Sequence, residues 1–344
     1  MNRRVVIGII CMLFVTYMPV DNSEVDFIIK EGDTIDSGDG KTLYVGGNGP
    51  NNYTHIQDAI NDASPGDTIF VYDDFSPYYE NLVIDKSIKL IGENKETTVI
   101  DGMKKGSVVR IVHNNVVIKN FTIRNSSEGI WEAAGIFVDN SQSNVISDNV
   151  ILANNWGIFL NRSNKNIISG NLILDGWGSI FLDRSNQNII SDNLITNEWG
   201  CPVGMGILLE ESNFNKITRN NISYSEVGIC ILDRSKKNVI SYNIVKESCD
   251  GIHICGGKEN LIFYNDLINN ERNGFFVNWI VLRVGVKPVF SFFNIWLRNY
   301  WDDWHSIAPR PIFGVVTVVL GYYIIPSIPW LNFDWMPRSS PQSH

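Results

Sequence analysis

Positive charge and metal-binding side chains are scarce in this chain. Among 344 residues, 28 Lys and Arg stand against 37 Asp and Glu, which gives a net charge of -9. Because nucleic-acid phosphates are bound by clustered cations, this deficit argues against a nucleic-acid partner. The five His are scattered, and the spacings of the five Cys match no zinc motif. The composition therefore indicates no resident metal or cofactor.

Long apolar runs with helical spacing are also missing from the repeated part of the chain. The apolar runs there are short, alternating and rich in β-branched residues, and Asn, Gly, Asp and Ser interrupt them. The pattern Asn-x-Ile-x-x-Asn, in two copies Asn-Ile-Ile-Ser-x-Asn, recurs at nearly constant intervals, with its second Asn at Asn149, Asn171, Asn193, Asn220, Asn243 and Asn265. A fixed period of this kind predicts an all-β solenoid, a parallel β-helix with one coil of three short strands per repeat of about 22 residues.

The recurring Asn residues are expected to be structural. Stacking places them in one column, which Asn120 is predicted to begin. Side-chain amides carry both a donor and acceptors, so identical Asn residues can bond to one another along a stack. We therefore assign this column to the fold and not to chemistry.

The two ends of the chain differ from the repeats. Arg3 and Arg4 precede an apolar run from Val5 to Tyr17, which has the length of a signal-peptide core and is short for a membrane span. Thr54-His-Ile-Gln57 reads as a capping box that opens a short helix over the first coil. The predicted organisation is a signal peptide or N-terminal anchor at 1–20, a flexible lead-in at 21–40, the parallel β-helix at 41–280 and a C-terminal capping segment of strands at 281–344.

Three strings at the start of the solenoid carry a resemblance to a known family. They are Tyr-Thr-His-Ile-Gln-Asp-Ala-Ile at 53–60, Gly-Asp-Thr-Ile-Phe-Val at 66–71 and Ser-Ile-Lys-Leu-Ile-Gly-Glu at 87–93. With the Asn-x-Ile-Ser-x-Asn repeats and the closing Asn299-Tyr-Trp-Asp302, they resemble the NosD-type family. The resemblance implies an exported, right-handed β-helix of the pectin-lyase-like class, which includes carbohydrate-binding proteins and sugar hydrolases.

Outward-pointing columns are the expected location of function. In Gly-Ile-Phe-Leu, a period of two puts Ile158 and Leu160 inside and Phe159 outside. Along the repeats this predicts an outward column of Phe137, Phe159, Phe181, Leu208, Ile231, His253 and Phe276. Just before the strand, a tryptophan recurs in three successive copies of the repeat. The predicted aromatic platforms for a substrate are Trp156, Trp177, Trp199, Phe159 and Phe181.

A polar column follows the aromatic one. Its members are Asp139, Asn161, Asp183, Glu210 and Asp233, and the next residue is an arginine at Arg162, Arg184 and Arg234. Pyranose faces stack on aromatic rings, and sugar hydroxyls and carboxylates pair with such charged groups. We predict that a polysaccharide or cell-surface glycan lies across the coils without being cleaved. In the alternative, the aromatic stack shields the sheet and the Asp–Arg pairs neutralise the surface.

Catalysis is the rival interpretation of the same face. Asp183, Glu210 and Asp233 are the candidate catalytic carboxylates of a glycoside hydrolase or polysaccharide lyase, and a lyase would add calcium. The motifs of polygalacturonases, pectin methylesterases and alginate epimerases are not recognisable, so the sequence favours binding.

The family name implies a third interpretation, maturation of a periplasmic copper enzyme, and a structural surface protein remains a further alternative. Copper needs converging His, Cys or Met ligands, and His253 with Cys230 and Cys255 is the single cluster to consider. Buried packing is favoured there, with either a Cys230–Cys255 disulfide or two free thiols. The chain is expected to be a monomer that is secreted, periplasmic or at the cell surface, with peripheral membrane or envelope association left open.

Overall fold

The computed structural model describes residues 40–342 except 130–131, 198–203, 233, 283–288, 291, 307 and 321–322. Over this part the chain is an all-β, right-handed parallel β-helix of about 10 turns. Consecutive coils pair in parallel and in register, as where Ile158 faces Ile180. The predicted fold class is confirmed. The predicted signal peptide or anchor at 1–20 and nearly all of the lead-in at 21–40 lie outside the described residues.

Three stacks of strands form the walls of the solenoid, named faces A, B and C in the order in which a coil visits them. Face A contains Leu82–Ile84, Val109–Ile111, Ala134–Asp139, Trp156–Asn161, Gly178–Asp183, Met205–Glu210, Val227–Ile231, Asp250–Cys255, Arg272–Leu282 and Arg310–Leu320. Face B contains Thr42–Val45, Thr68–Val71, Lys89–Gly92, Val117–Lys119, Val145–Ser147, Ile167–Ser169, Ile189–Ser191, Lys216–Thr218, Val239–Ser241, Leu261–Phe263 and Ile295–Leu297. Face C contains Val99–Asp101, Thr122–Arg124, Val150–Leu152, Leu172–Leu174, Leu194–Thr196, Asn221–Ser223, Ile244–Lys246, Asp266–Ile268 and Tyr300–Trp301. The remaining strands are Val289–Phe290 and Tyr323–Asp334.

The core is a column of aliphatic side chains that all three faces supply. Ile158 and Leu160 from face A, Ile168 from face B and Ile173 from face C have at most 1% of their surface exposed. The period-two prediction for Ile158 and Leu160 is therefore confirmed. Each strand of the regular coils is short, so stability comes from stacking coils and not from any one coil.

The recurring Asn residues form a buried amide ladder between faces B and C. Nδ2 of Asn171 donates to Oδ1 of Asn193 (3.0 Å), and the same Oδ1 accepts from the backbone N–H of Asn171 (3.0 Å). The ladder continues through Asn265 to Asn299, and Oδ2 of the buried Asp334 ends it by accepting from Asn299 and from Trp301 Nε1. The structural role of the Asn column follows from these bonds.

The predicted first member of this column is wrong. Oδ1 of Asn149 accepts from the backbone N–H of Phe121 (3.1 Å), so Phe121 occupies the ladder position of its coil. Asn120 lies one residue earlier and has φ of 63°, a left-handed conformation that Asn tolerates better than most residues. Asn suits both a ladder position and a left-handed turn position. Here the pairing of Asn149 with Phe121 places Asn120 at the turn.

A single helix in the described chain, α1 (Ile56–Asp62), covers the first coil with Ile56, Ala59 and Ile60 buried. The predicted helix is present, but its predicted capping box is not. His55 at the N-cap makes no side-chain cap bond. The carboxylate of Glu80, from the following coil, accepts from the backbone N–H groups of Ile56 (2.8 Å) and Gln57 (2.9 Å). A tertiary contact thus replaces the local cap and satisfies the first donors of the helix.

The C-terminal cap is a sheet that extends face A beyond the solenoid. Arg272–Leu282 is a long strand, and only its part up to Val277 pairs with the preceding coil. From Phe276 onward its other side pairs in parallel with Arg310–Leu320, which forms an antiparallel hairpin with Tyr323–Asp334. The predicted C-terminal β cap is confirmed.

Candidate functional site

The outward column of face A is set by hydrogen-bonded register. Leu208 faces Cys230, Cys230 faces His253, and His253 faces Phe275. Ile231 and Phe276, which the sequence prediction put in this column, instead lie on the core side and are buried. A slip of one residue exchanges the two sides of a strand, and the register of the neighbouring coil prevents that slip.

The aromatic members of this column pack against one another. The Phe159 and Phe181 rings stack at 4.7 Å, and the Trp156 indole stacks on Phe181 at 4.8 Å. Trp156 also fills the space over Gly178 of the next coil, where an added Cβ would lie 2.0 Å from the indole. Trp156, Phe159 and Phe181 have 0%, 2% and 1% of their surface exposed, so none of them presents an open ring in this structure.

Trp177 is placed differently from Trp156. The backbone of Trp156 pairs with Gly178, so Trp177 lies one residue ahead of the register, and the two indoles meet edge to face at 4.9 Å. Trp177 is 46% exposed. Trp199 lies outside the described residues. Trp156 is therefore a buried ring and Trp177 its exposed neighbour, whereas the sequence predicted a continuous vertical stack of tryptophans.

At the corner after face A, four charged residues occupy one column, which we name the corner array: Arg162, Arg184, Glu211 and Arg234. All four have left-handed backbone conformations, with φ between 47° and 63°. Along the chain they follow one another at the same intervals as Asn171, Asn193, Asn220 and Asn243 of the ladder. Sequence reasoning missed Glu211 because it followed the preceding column to Glu210. The ladder spacing carried the signal.

Glu211 forms ion pairs with two arginines of the array, one on the coil before its own and one on the coil after it. Arg184 Nε donates to Glu211 Oε2 (3.2 Å), and Arg234 Nη1 donates to Glu211 Oε1 (2.8 Å). Arg184 Nη1 also donates to Asp183 Oδ2 (3.0 Å). The side chains of Arg184 and Arg234 are 47% and 77% exposed, and that of Glu211 is 30% exposed. One carboxylate therefore orients two guanidiniums that still face solvent, which preserves donors for an external ligand.

Asp183 is the most perturbed carboxylate at this corner. Its Oδ1 is buried without a hydrogen-bond partner in the described structure. Burial raises the pKa of Asp183, an effect that the neighbouring Arg184 guanidinium opposes. Glu210 occupies the paired position on the next coil. Asp233, the third candidate carboxylate, lies outside the described residues.

A second polar cluster lies further along face A. The carboxylate of Asp250 is bound by Arg272 through Nε (2.6 Å) and Nη2 (2.5 Å), and His253 Nδ1 lies 3.5 Å from the same carboxylate. Burial, the largest cause, lowers the pKa of His253. Cys230 and Cys255 are not joined by a disulfide, so the disulfide alternative for this pair is wrong, whereas Cys249 is disulfide-bonded.

Fold and site together define a right-handed β-helix with a charged outer corner. A family profile described as "Periplasmic copper-binding protein (NosD)" matches residues 60–280, more than half of the chain. The chain therefore belongs to the NosD family, as its sequence resemblance indicated. A comparison with curated proteins gave no match.

The solved structures that match this chain do so at low sequence identity. DFA-IIIase from Arthrobacter chlorophenolicus A6 is 14% identical, with 83% of each chain covered and a TM-score of 0.47. The Dettilon tailspike protein is 13% identical over 74% of this chain and 65% of its own, with a TM-score of 0.48. XylC, solved with xylose, is 12% identical over 86% of this chain and 73% of its own, with a TM-score of 0.47.

The family description raises the question of copper. Within the described residues, no group of three or more His, Cys, Asp or Glu is placed to hold a metal ion. In the cluster of His253, Cys230 and Cys255, the nearby Asp250 is already bound by Arg272 through both carboxylate oxygens. The described side chains therefore do not fit a copper centre, and no chemistry through copper follows from them.

The described residues also contain no helix long and apolar enough to span a membrane.

Proposed function

We propose that this protein is exported and binds a polysaccharide or surface glycan along the corner array, without cleaving it. The observation that carries the proposal is the arrangement of Arg184 and Arg234, two exposed guanidiniums that share Glu211. They lie two coils apart, which corresponds to about 10 Å along the solenoid. A polymer lying along the stack meets fixed donors at this interval, whereas a small ligand meets only one of them.

The buried aromatic column stabilises the strands that lead into the corner array. Ring stacking between Phe159 and Phe181 fixes the strand on which Asp183 is carried, so the array rests on a rigid element. Trp177 is the aromatic side chain that supports the proposal as an exposed platform. Trp156, Phe159 and Phe181 are assigned to packing, and Arg162 is assigned to the ligand-binding side of the array.

A specific observation also favours the catalytic alternative, hydrolysis or lyase chemistry. A carboxyl whose pKa is raised by burial, with an unpartnered oxygen, has the properties of a general acid. Asp183 and Glu210 stand on consecutive coils, where a pair of carboxylates could flank a glycosidic bond. Under this alternative, Asp183→Asn abolishes product formation and leaves retention on the polysaccharide unchanged.

The test is a panel of acidic and neutral polysaccharides incubated with the purified protein, with and without calcium. Retention on the polymer is read together with new reducing ends and unsaturated products. Retention without product, lost in the Arg184→Ala/Arg234→Ala double variant, is the expected result. Arg219→Ala is the matched control, because Arg219 is 53% exposed and also paired with a carboxylate, that of Asp192, on a different corner. Formation of product contradicts the non-catalytic proposal, and the absence of retention contradicts glycan binding itself.

A further inference from the structure

The hairpin of Arg310–Leu320 and Tyr323–Asp334 is unusually apolar for a surface element. Residues 311–333 contain no Asp, Glu, Lys, Arg or His. Several large side chains on it are nevertheless open to solvent, with exposures of 66% for Phe313, 51% for Ile328, 54% for Trp330 and 44% for Leu331. We name Phe313, Ile328, Trp330 and Leu331 the hairpin patch. Phe313 and Leu331 pair across the hairpin and share one face, whereas Trp330 and Ile328 pair with Gly314 and Val316 and share the other face. Exposed apolar side chains on both faces of one surface element mark an interaction site.

The hairpin that carries the patch extends beyond the last coil. Val277 is the last residue of Arg272–Leu282 that pairs with the preceding coil, and the strand continues to Leu282 against Arg310–Leu320. This continuation of the strand corresponds to about 17 Å. Phe313, Gly314, Pro329, Trp330 and Leu331 line a shallow cavity of about 530 Å³ on the hairpin. This cavity lies beside the last coil, because Gly314 pairs with Phe276 on one side and with Trp330 on the other, and the part of the hairpin beyond Val316 is the part that projects.

The segment at the base of the hairpin combines apolar with cationic side chains. Trp335 and Met336 follow the hairpin directly and are 42% and 48% exposed. They line a second shallow cavity, of about 420 Å³, together with Arg298 and Arg338. Arg298 donates to the Tyr264 hydroxyl (2.5 Å), and Arg338 is paired with Asp266. Aromatic and cationic side chains thus flank the uncharged hairpin on the side where it joins the solenoid.

We propose that the hairpin patch inserts into the surface of a phospholipid bilayer, with the exposed Arg298 facing the lipid phosphates. The uncharged stretch at 311–333 matches the hydrocarbon boundary, where each charge would be costly, and tryptophan with arginine suits the headgroup layer. Docking of a second copy by strand addition is disfavoured, because Pro326 and Pro329 remove two backbone donors from Tyr323–Asp334. This inference is independent of glycan binding.

The decisive experiment reads the contact at one side chain. The full-length protein is mixed with phosphatidylcholine vesicles, with or without phosphatidylglycerol, whose acyl chains carry bromine near the headgroup. Bromine quenches tryptophan fluorescence on contact, so the Trp330→Phe variant should lose a quenched component that the wild type shows. Trp177→Phe, which removes an exposed indole far from the hairpin in sequence, should lose none. This readout is local and holds even where the apolar segment at 5–17 also contacts the vesicle.

Vesicle flotation supplies the second readout. Trp330→Ser/Leu331→Ser should weaken partitioning at least about tenfold, since two large apolar side chains are removed from the contact. Both residues are roughly half exposed, so the fold should be retained, and light scattering after size exclusion checks the mass. Equal quenching in wild type and Trp330→Phe overturns the proposal. So does a concentration-dependent dimer that the double variant abolishes, because the patch would then be an interface between copies.

Discussion

The amide ladder and the corner array are two columns that repeat with the same spacing but differ in how completely they are satisfied. In the ladder, every member from Asn149 to Asn299 is at most 1% exposed, and each amide bonds to the next coil. In the array, Arg184 and Arg234 are about half or more exposed, and the adjoining Asp183 keeps a buried oxygen without a partner. Identical amides can pair with one another, whereas like charges cannot, so only the amide column closes on itself. Incomplete satisfaction at an exposed corner is where binding is to be expected.

The largest loss of stability is expected for substitution of a buried aromatic residue on face A. Trp156→Ala should lower the free energy of unfolding by about 3–5 kcal/mol, because it empties a fully buried site that contacts both Phe159 and Phe181. Trp177→Ala should cost under about 1 kcal/mol, since its ring is 46% exposed and has an edge contact with Trp156. Urea unfolding followed by circular dichroism measures both. Similar losses for the two variants would contradict the assignment of Trp156 to packing.

The ladder should respond almost as strongly. Asn193→Ala removes the acceptor for two N–H groups of Asn171 and the donor to Asn220 Oδ1 and Ile168 O. Buried groups left without partners cost about 1–3 kcal/mol each, so a loss of at least about 3 kcal/mol is expected. Arg219→Ala, on an exposed corner, should change stability by about 0.5 kcal/mol or less. An Asn193→Ala protein as stable as Arg219→Ala would show that the ladder is dispensable.

The smallest effect concerns pH at the second polar cluster. Burial and Arg272 lower the pKa of His253 while Asp250 raises it, and the net direction is downward. The unfolded chain then binds a proton below about pH 6.5 that the folded chain resists, so stability is present above that pH and is lost as pH falls through the folded pKa. His253→Gln should flatten this decline between pH 7.5 and 5.5 in thermal unfolding. If the decline is unchanged in His253→Gln, groups other than His253 cause it.

The sequence predicted the fold well because the fold is periodic. Ile158 and Leu160 lie in the core, the ladder links the coils, and the cap is built of strands, as the repeat indicated. Errors arose where register decides. Ile231 and Phe276 were placed one residue away from the outward column, and Asn120 one residue away from the ladder.

The candidate site was only partly predictable. Arg184 and Arg234 were found, but Glu211, which links them, was missed. Burial of Phe159 and Phe181 could not be inferred, because the period of two gives the side of a strand and not what covers it. Replacement of the helix cap by Glu80 was likewise beyond a local pattern, since that carboxylate comes from the following coil.

The corner array is proposed to bind a glycan while the ladder and the aromatic column hold the fold. The most direct measurement is affinity electrophoresis of wild type, Arg184→Ala/Arg234→Ala and Arg219→Ala in gels that contain the polysaccharide retained best in the panel. The account predicts retardation of wild type and Arg219→Ala, and at least about tenfold weaker retardation of the double variant, since two charge-assisted contacts are lost. The unfolding midpoints of all three should agree closely. Equal retardation of the double variant and wild type would contradict the claim.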